Sequence, residues 1–239
     1  MERKAIHRLN HNYKNKKKMR LLLILAFCVI SAQRISAQDA QLLELAEQGD
    51  AKAQHRLGTC YEFGDGVEAD LAEAIKWHRK AAEQGLVDAQ YALGACYAVG
   101  EGKMHDDTEA AKWFKMAAEQ GHANAQYAIA ICYVKGIGVP KRFNEGVKWF
   151  MKSAEQGQAD AQLIVGLCYK EGEGVKKDLK ESVRWTRMAA EQGLAEAQYF
   201  LGRCYKEGAG VKKDPVEAEM WIRKAADQGH IFAKRALEK

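Results

Sequence analysis

Apolar positions along most of the chain recur with the spacing of one face of a helix. In the stretch 50–85, Ala53, Leu57, Cys60 and Tyr61 stand at positions i, i+4, i+7 and i+8, which places them on one side of a helix. A short glycine-containing turn follows at 64–67. A second apolar face comes after it and comprises Leu71, Ala74, Trp77 and Ala81. The pattern predicts two amphipathic helices, called helix A and helix B below, joined by a tight turn.

The same pattern returns at a fixed interval of 36 residues. A Gln-Gly pair has its glycine at 49, 85, 121, 157, 193 and 229, and five of the six cysteines and all five tryptophans keep the same period. We therefore divide the chain into a partial unit at 38–49, repeats at 50–85, 86–121, 122–157, 158–193 and 194–229, and a capping half-helix at 230–239. Because one such helix pair is too small to bury its apolar face alone, each repeat must pack against its neighbours.

Helix B has a recurring start signal. Asp70, Asp106, Asp178 and Asp214 each precede a Glu by three residues, a pattern in which the acid caps the free N–H groups of a helix. In the third repeat Arg142 takes this place, so we expect Asn144 to act as a shifted cap and this helix B to start less firmly. Gly85 stands where helix B ends, a position that often takes a left-handed backbone conformation and therefore favours glycine.

These residues carry a family resemblance. The run from Ala53 to Gly85, with its A-Q-x-x-L-G-x-C-Y, G-x-G-V and K-W-x-x-K-A-A-E-Q-G segments, closely resembles the Sel-1-like repeat, a relative of the tetratricopeptide repeat. The match recurs five times, with local departures at Lys103, Ala130 and Arg142. The resemblance implies an all-α fold, a right-handed α-solenoid that serves as a scaffold for protein complexes.

The positive charge of the chain lies at its start. The whole sequence has a formal charge of +5, but residues 1–32 hold eight Lys or Arg and one acid, and the remainder is slightly acidic. An uninterrupted apolar run at 21–30 follows the basic residues, and small residues end at Ala32 and Ala37. This is the layout of a secretory signal peptide, with an n-region at 1–20, so we expect residues 1–37 to be removed and the protein to be periplasmic or secreted. Met19 is an alternative start, and the cleavage site is left open between Ala32 and Ala37.

Few residues offer chemistry. The glycine pairs lack the third glycine or the Lys-Ser/Thr of phosphate-binding loops, and no Ser-x-x-Lys or Gly-x-Ser-x-Gly occurs. Beyond the predicted signal peptide, no CxxC, HxxxH or mixed Cys/His motif occurs either. The single cysteine in each repeat lies on the core face of helix A, where we expect a buried thiol rather than a disulfide. We therefore expect no catalytic residue, no cofactor, no metal and no nucleic-acid partner.

A partner surface is expected on the side of helix A opposite its core face. Positions equivalent to 55, 59 and 62 point there at about 100° per residue, and their residues change from repeat to repeat while the framework stays fixed. They are apolar in repeats two to four and basic in repeats four and five. The candidate partner-binding residues are Tyr127, Ile131, Val134, Leu163, Leu167, Lys170, Arg203 and Lys206. For the column of Tyr127 and Leu163, packing between helices is the favoured alternative, whereas for Ile131, Val134 and Leu167 both interpretations stay open.

The sequence as a whole predicts an exported, monomeric, non-catalytic scaffold. It would bind a protein or peptide partner through the inner surface of its A helices, and an apolar patch rimmed by positive charge suits an acidic amphipathic segment. Two alternatives remain. The first is a β-lactam hydrolase or penicillin-binding protein, because secreted cysteine-rich relatives have been associated with penicillin binding and β-lactam hydrolysis. The second is a protein that recognises cell-wall glycan, which is compatible with export.

Overall fold

The described part of the chain is entirely helical. The computed structural model describes residues 37–100 and 102–238, so the signal-peptide prediction lies almost wholly outside it. These residues form twelve α-helices and one 3₁₀ turn at Gly102–Met104, with no strand. The helices are α1 Ala37–Glu47, α2 Ala51–Phe63, α3 Leu71–Glu83, α4 Val87–Val99, α5 Asp107–Glu119, α6 Ala123–Lys135, α7 Phe143–Glu155, α8 Ala159–Glu171, α9 Leu179–Glu191, α10 Ala195–Glu207, α11 Pro215–Asp227 and α12 Ile231–Leu237.

The helices alternate as the sequence predicts. Helices α2, α4, α6, α8 and α10 are the A helices of repeats one to five, and α3, α5, α7, α9 and α11 are the B helices. The chain divides into two compact units, Met1–Ala81 and Ala82–Lys239, with the boundary inside α3. In the second unit each A helix packs against the B helix that follows it, and each B helix packs against the next A helix. This consecutive packing of hairpins defines an α-solenoid.

The start of each B helix is fixed by two separate interactions. A carboxylate oxygen of Asp70 accepts from the N–H groups of Ala72 and Glu73, and the other cap aspartates bind in the same way. The N–H of Asp70 itself donates to the carbonyl of Tyr61 in helix A at 2.9 Å, an arrangement that recurs in every repeat. The glutamate three residues on is thus not needed at the cap. In two repeats it instead accepts from a tryptophan indole N–H, namely Glu109 from Trp113 and Glu217 from Trp221.

The third repeat corrects one expectation about these caps. Its B helix begins at Phe143 with Arg142 in the N-cap position, and Arg142 makes no side-chain cap bond. Asn144 lies inside the helix and is not a shifted cap. The helix keeps its register because the N–H of Arg142 donates to the carbonyl of Tyr133 at 2.8 Å, as the aspartates do elsewhere. The backbone bond to helix A therefore sets where helix B begins, and the side chain only reinforces it.

Helices A and B approach so closely that one contact position must be glycine. A Cβ added to Gly202 would lie 2.9 Å from the carbonyl oxygen of Ala218 in helix B. In the third repeat the roles are exchanged, because helix A carries Ala130 and helix B carries Gly146. A Cβ added to Gly146 would lie 2.9 Å from the carbonyl oxygen of Ala130. The two departures from the repeat pattern are thus a single compensated exchange.

The recurring aromatic and thiol residues form the core. All five tryptophans are buried, with exposures between 5% and 8%, and the ammonium of Lys152 lies 4.2 Å from the ring centroid of Trp149. Four of the repeat cysteines are buried and Cys60 is half-buried, as the sequence predicts for small apolar thiols. Burial raises the pKa of Cys132 and of Cys168 to about 11, so both remain neutral at physiological pH.

Buried glutamines connect successive repeats. On α6 the side chain of Gln126 is 5% exposed, and its amide donates to the carbonyl of Ala118 at 3.2 Å. Its own carbonyl accepts from Gln156, which is 30 residues further along, at 2.7 Å. The same pairing joins Gln90 to Gln120, Gln162 to Gln192 and Gln198 to Gln228. The Ala-Gln and Gln-Gly pairs of the repeat therefore supply the two halves of one hydrogen-bonded network.

Candidate functional site

The candidate surface lies on the A helices of the second unit, away from the glutamine network. We define the A-face as the positions equivalent to 59 and 62 in repeats two to five. Its residues are Ala95, Ala98, Ile131, Val134, Leu167, Lys170, Arg203 and Lys206. Each pair is separated by three residues, so both members lie on one side of their helix. All eight are half-buried or exposed, whereas the adjacent framework residues Ile129, Ala130, Val165 and Leu201 are fully buried.

The apolar part of the A-face is formed by α6 and α8. Ile131 and Val134 are half-buried, and Leu167 is 36% exposed. Val134 rests against helix B of its own repeat, because its Cγ2 lies 2.6 Å from where a Cβ of Gly146 would stand. The glycine in α7 thus leaves room for a β-branched side chain at this position. Ile131 and Leu167 leave part of their apolar surface open to solvent.

The column of Tyr127 and Leu163 has a different role. Leu163 is 8% exposed and belongs to a core cluster that includes Val183, Leu201 and Trp221, so its assignment to the partner surface is corrected. Tyr127 is half-buried and makes an edge-on contact with Phe150 at 5.4 Å between ring centroids. Burial, with the nearby charge of Asp160, raises the pKa of Tyr127. Helix packing, the alternative favoured by the sequence, accounts for both residues.

The basic part of the A-face is formed by α8 and α10. Arg203 donates to Glu207 at 2.6 Å, and this hydrogen bond raises the pKa of Arg203. Lys170 lies 4.9 Å from the ring centroid of Phe200 on the next A helix and 3.1 Å from the carboxylate of Glu171. Lys206 is exposed. All three cations retain solvent exposure, and Lys170 and Arg203 are each paired with a neighbouring glutamate.

Two adjoining depressions make this basic region concave. The smaller is lined by Lys170, Phe200 and Arg203 together with parts of α9. The larger is an open groove of about 560 Å³ between α10, α11 and α12. Its wall includes Arg203, Lys206 and Lys213 as cations, with Tyr199 and Ile222 as apolar surface. Arg203 and its ion-pair partner Glu207 line both depressions, so the two share a wall that carries one positive and one negative charge.

No catalytic arrangement accompanies this surface in the described residues. Burial raises the pKa of Cys204, the thiol that lines the smaller depression, which keeps it in the unreactive protonated form. Ser182 is 2% exposed and belongs to the helix contact. The part of the chain that the structure describes holds no helix long and apolar enough to span a membrane. Binding through shape and charge is what the arrangement can do.

The fold and this surface define a class of protein, a helical-hairpin repeat protein with a variable face on its A helices. The Sel1 repeat model matches the chain five times, at residues 51–86, 87–122, 123–158, 159–194 and 195–230. The chain therefore belongs to the Sel1 repeat family. These boundaries differ by one residue from those inferred above, since the starting point of a periodic unit is arbitrary. The Sel1 repeat is a scaffold fold that commonly mediates interaction between proteins.

Solved structures support the same fold. A protective antigen present in uropathogenic Escherichia coli strains, which displays the same repeat fold, is 40% identical over 81% of this chain, with a TM-score of 0.77. This match spans 42% of the length of the E. coli protein. A Sel1 repeat protein from Oxalobacter formigenes is 38% identical over 77% of this chain and 76% of its own length, with a TM-score of 0.70. Among curated proteins, none matches the chain.

Proposed function

We propose that the protein is an exported, non-catalytic scaffold that binds a segment of a partner protein along the A-face. The observation that carries the proposal is the contrast on the A helices. Their framework residues are sealed in the core, while Ile131, Leu167, Arg203 and Lys206 are accessible and differ from their equivalents in other repeats. Variation on an accessible face is what a repeat scaffold uses to select a partner.

The chemistry of the face favours an acidic amphipathic segment as the partner. Such a segment would place apolar side chains on Ile131, Val134 and Leu167 and carboxylates near Arg203 and Lys206. Burying an apolar side chain contributes about 25 cal/mol per Å², and charge complementarity adds orientation and a faster encounter. Binding of this kind should weaken as the salt concentration rises, because the cations are exposed to solvent.

The proposal is tested by photo-crosslinking in the native envelope followed by identification of the captured protein. A crosslinking residue at position 167 should capture a partner, and Leu167→Asp and Ile131→Asp should each reduce its binding to the purified protein at least tenfold. Met116→Asp is a matched control, because Met116 lies on helix B of repeat two and is 37% exposed, close to the 36% of Leu167. Equal binding by the control and Leu167→Asp, with helicity preserved in both, would contradict the assignment.

Export and the lack of catalysis need their own measurements. N-terminal sequencing of the protein recovered from the envelope should begin after Ala32 or Ala37, and recovery of uncleaved protein in the cytoplasm would refute export. Purified protein should not turn over a chromogenic β-lactam with or without a chelator. Turnover at enzyme-like rates would replace the scaffold proposal with the hydrolase alternative.

A further inference from the structure

Repeat one carries a buried histidine where later repeats carry residues without a titratable ring. His78 on α3 is fully buried. The equivalent helix-B positions hold Phe114, Phe150, Thr186 and Ile222. Burying an imidazole costs free energy unless its nitrogens have polar partners. The environment of His78 must therefore supply a partner to each ring nitrogen.

Both nitrogens of His78 have such partners within the first unit. Its Nδ1 lies 3.1 Å from the Nδ1 of His55 on α2, and its Nε2 lies 3.4 Å from the Oε2 of Glu62 on the same helix as His55. A carboxylate accepts hydrogen bonds, so the proton of neutral His78 belongs on Nε2. The Nδ1 of His78 then carries no proton, and its lone pair is directed at the Nδ1 of His55.

We propose that His55 and His78 bind a divalent transition metal ion through their Nδ1 atoms, with zinc or nickel as the expected occupant. Imidazole nitrogen is a preferred ligand of both metals. Zinc binds histidine nitrogen at about 2.0–2.1 Å in tetrahedral sites, which places two such nitrogens about 3.4 Å apart. The observed separation is 3.1 Å, with ring centroids 5.0 Å apart and an interplanar angle of 45°. A shift of a few tenths of an ångström completes the geometry.

Glu62 acts as a positioning residue in this site. A histidine that binds a metal through one nitrogen usually donates its other N–H to a carboxylate or carbonyl, which fixes its tautomer. Glu62 supplies that acceptor for His78. On binding, the neutral ring of His55 carries its proton on Nε2, so no net proton is released. The side chain of Glu62 is 24% exposed and His55 is half-buried, which gives an ion access from solvent. Water would complete the coordination.

The sequence missed this pair because its expectation of no metal rested on short motifs. His55 and His78 are 23 residues apart and lie on different helices, so no HxxxH spacing marks them. The signal that was present is the coincidence of two histidines in repeat one at positions that face each other across the helix pair. In repeats two and three the same positions hold Tyr91 with Phe114 and Tyr127 with Phe150.

The repeats themselves suggest variants that preserve the fold. His55→Tyr together with His78→Phe installs the pair that repeats two and three already use, and each single variant installs one half of it. The matched control is His122→Leu, since Leu86 and Leu194 occupy the position equivalent to His122. The test is calorimetric titration of the full chain, kept reduced by a phosphine reductant, with zinc and nickel chlorides. Long-range ¹H–¹⁵N correlation spectra of the histidine rings report which nitrogen binds.

We expect one zinc ion per chain with micromolar affinity and a large shift of the Nδ1 signals of His55 and His78. The double variant should bind at least 100-fold more weakly, and His122→Leu should bind as the unmodified protein does. Glu62→Ala, which copies Ala98 of repeat two, should weaken binding about tenfold or more. The proposal is overturned if the double variant binds equally well, if the shifts appear only at other histidines, or if no ion binds at millimolar concentration.

Discussion

The buried glutamine network offers a direct test of how the repeats hold together. Gln162 on α8 is 1% exposed. Its amide donates to the carbonyl of Ala154 at 3.1 Å, and its carbonyl accepts from Gln192 at 2.8 Å. Gln162→Leu keeps most of the side-chain volume and removes both hydrogen bonds. The substitution therefore isolates the polar contribution to the contact of repeat four with repeat three and to the glutamine pairing within repeat four.

The size of the destabilisation depends on the hydrogen bonds that the former partners of Gln162 keep. The carbonyl of Ala154 retains a bond from the N–H of Gly157 at 3.0 Å, and Gln192 retains its bond to the carbonyl of Gly157 at 2.9 Å. Neither group is orphaned, so each lost bond costs its net value of about 0.5–1.5 kcal/mol rather than a full desolvation penalty. The two losses together predict a destabilisation of about 1–3 kcal/mol.

Urea denaturation followed by far-UV circular dichroism measures this change. A double-mutant cycle with Gln192→Ala separates the bond between the two side chains from the rest, with an expected coupling of about 0.5–1.5 kcal/mol. Gln158→Leu is the control, because its side chain caps α8 locally and pairs with Asp160 on the surface. A coupling indistinguishable from zero would show that the pairing of Gln162 with Gln192 adds nothing to stability.

Three further outcomes are expected in the same denaturation assay. Trp149→Ala should cost about 3–5 kcal/mol, since a large buried ring is removed, and unchanged stability would place the ring outside the core. Stability should fall between pH 9 and 11, because folding raises the pKa of Cys132 and Cys168 from 9.0 to about 11 and the unfolded chain loses those protons first; a flat profile would contradict this burial. Gly146→Ala should destabilise by about 1–3 kcal/mol through overpacking. The double variant that also carries Val134→Ala should recover part of that loss. No rescue would show that Val134 is not the obstructing side chain.

The sequence predicted the framework well because periodicity reports burial directly. Positions such as Trp149 and Cys132 recur on one helical face in every repeat, and both are buried. The start of α7 was predicted wrongly because the sequence shows side-chain caps but not the backbone bond from Arg142 to Tyr133. Leu163 was a candidate for the partner surface, with helix packing favoured, because a single helical wheel does not show which neighbouring helix covers a residue.

Contacts between helices were the part that sequence reasoning could not supply. The two glutamine columns were visible, but the pairing of Gln126 with Gln156 depends on how the start of helix A and the end of helix B meet within one repeat. The spacing of 30 residues, repeated four times in the second unit, is the signal that could have revealed it. Whether Ile131, Val134 and Leu167 bind a partner is likewise not decided by the pattern, since partly exposed apolar residues serve packing and binding equally.

The exchange of glycine and alanine between α6 and α7 limits how such a gene can be rearranged. A recombination that joins helix A of repeat three to helix B of any other repeat would remove the glycine from this contact, because Ala130 would then face an alanine or a serine. The reciprocal product would place two glycines there and leave a gap. Duplication or loss of whole hairpins avoids both results, so we expect the two helices of the third repeat to be inherited together.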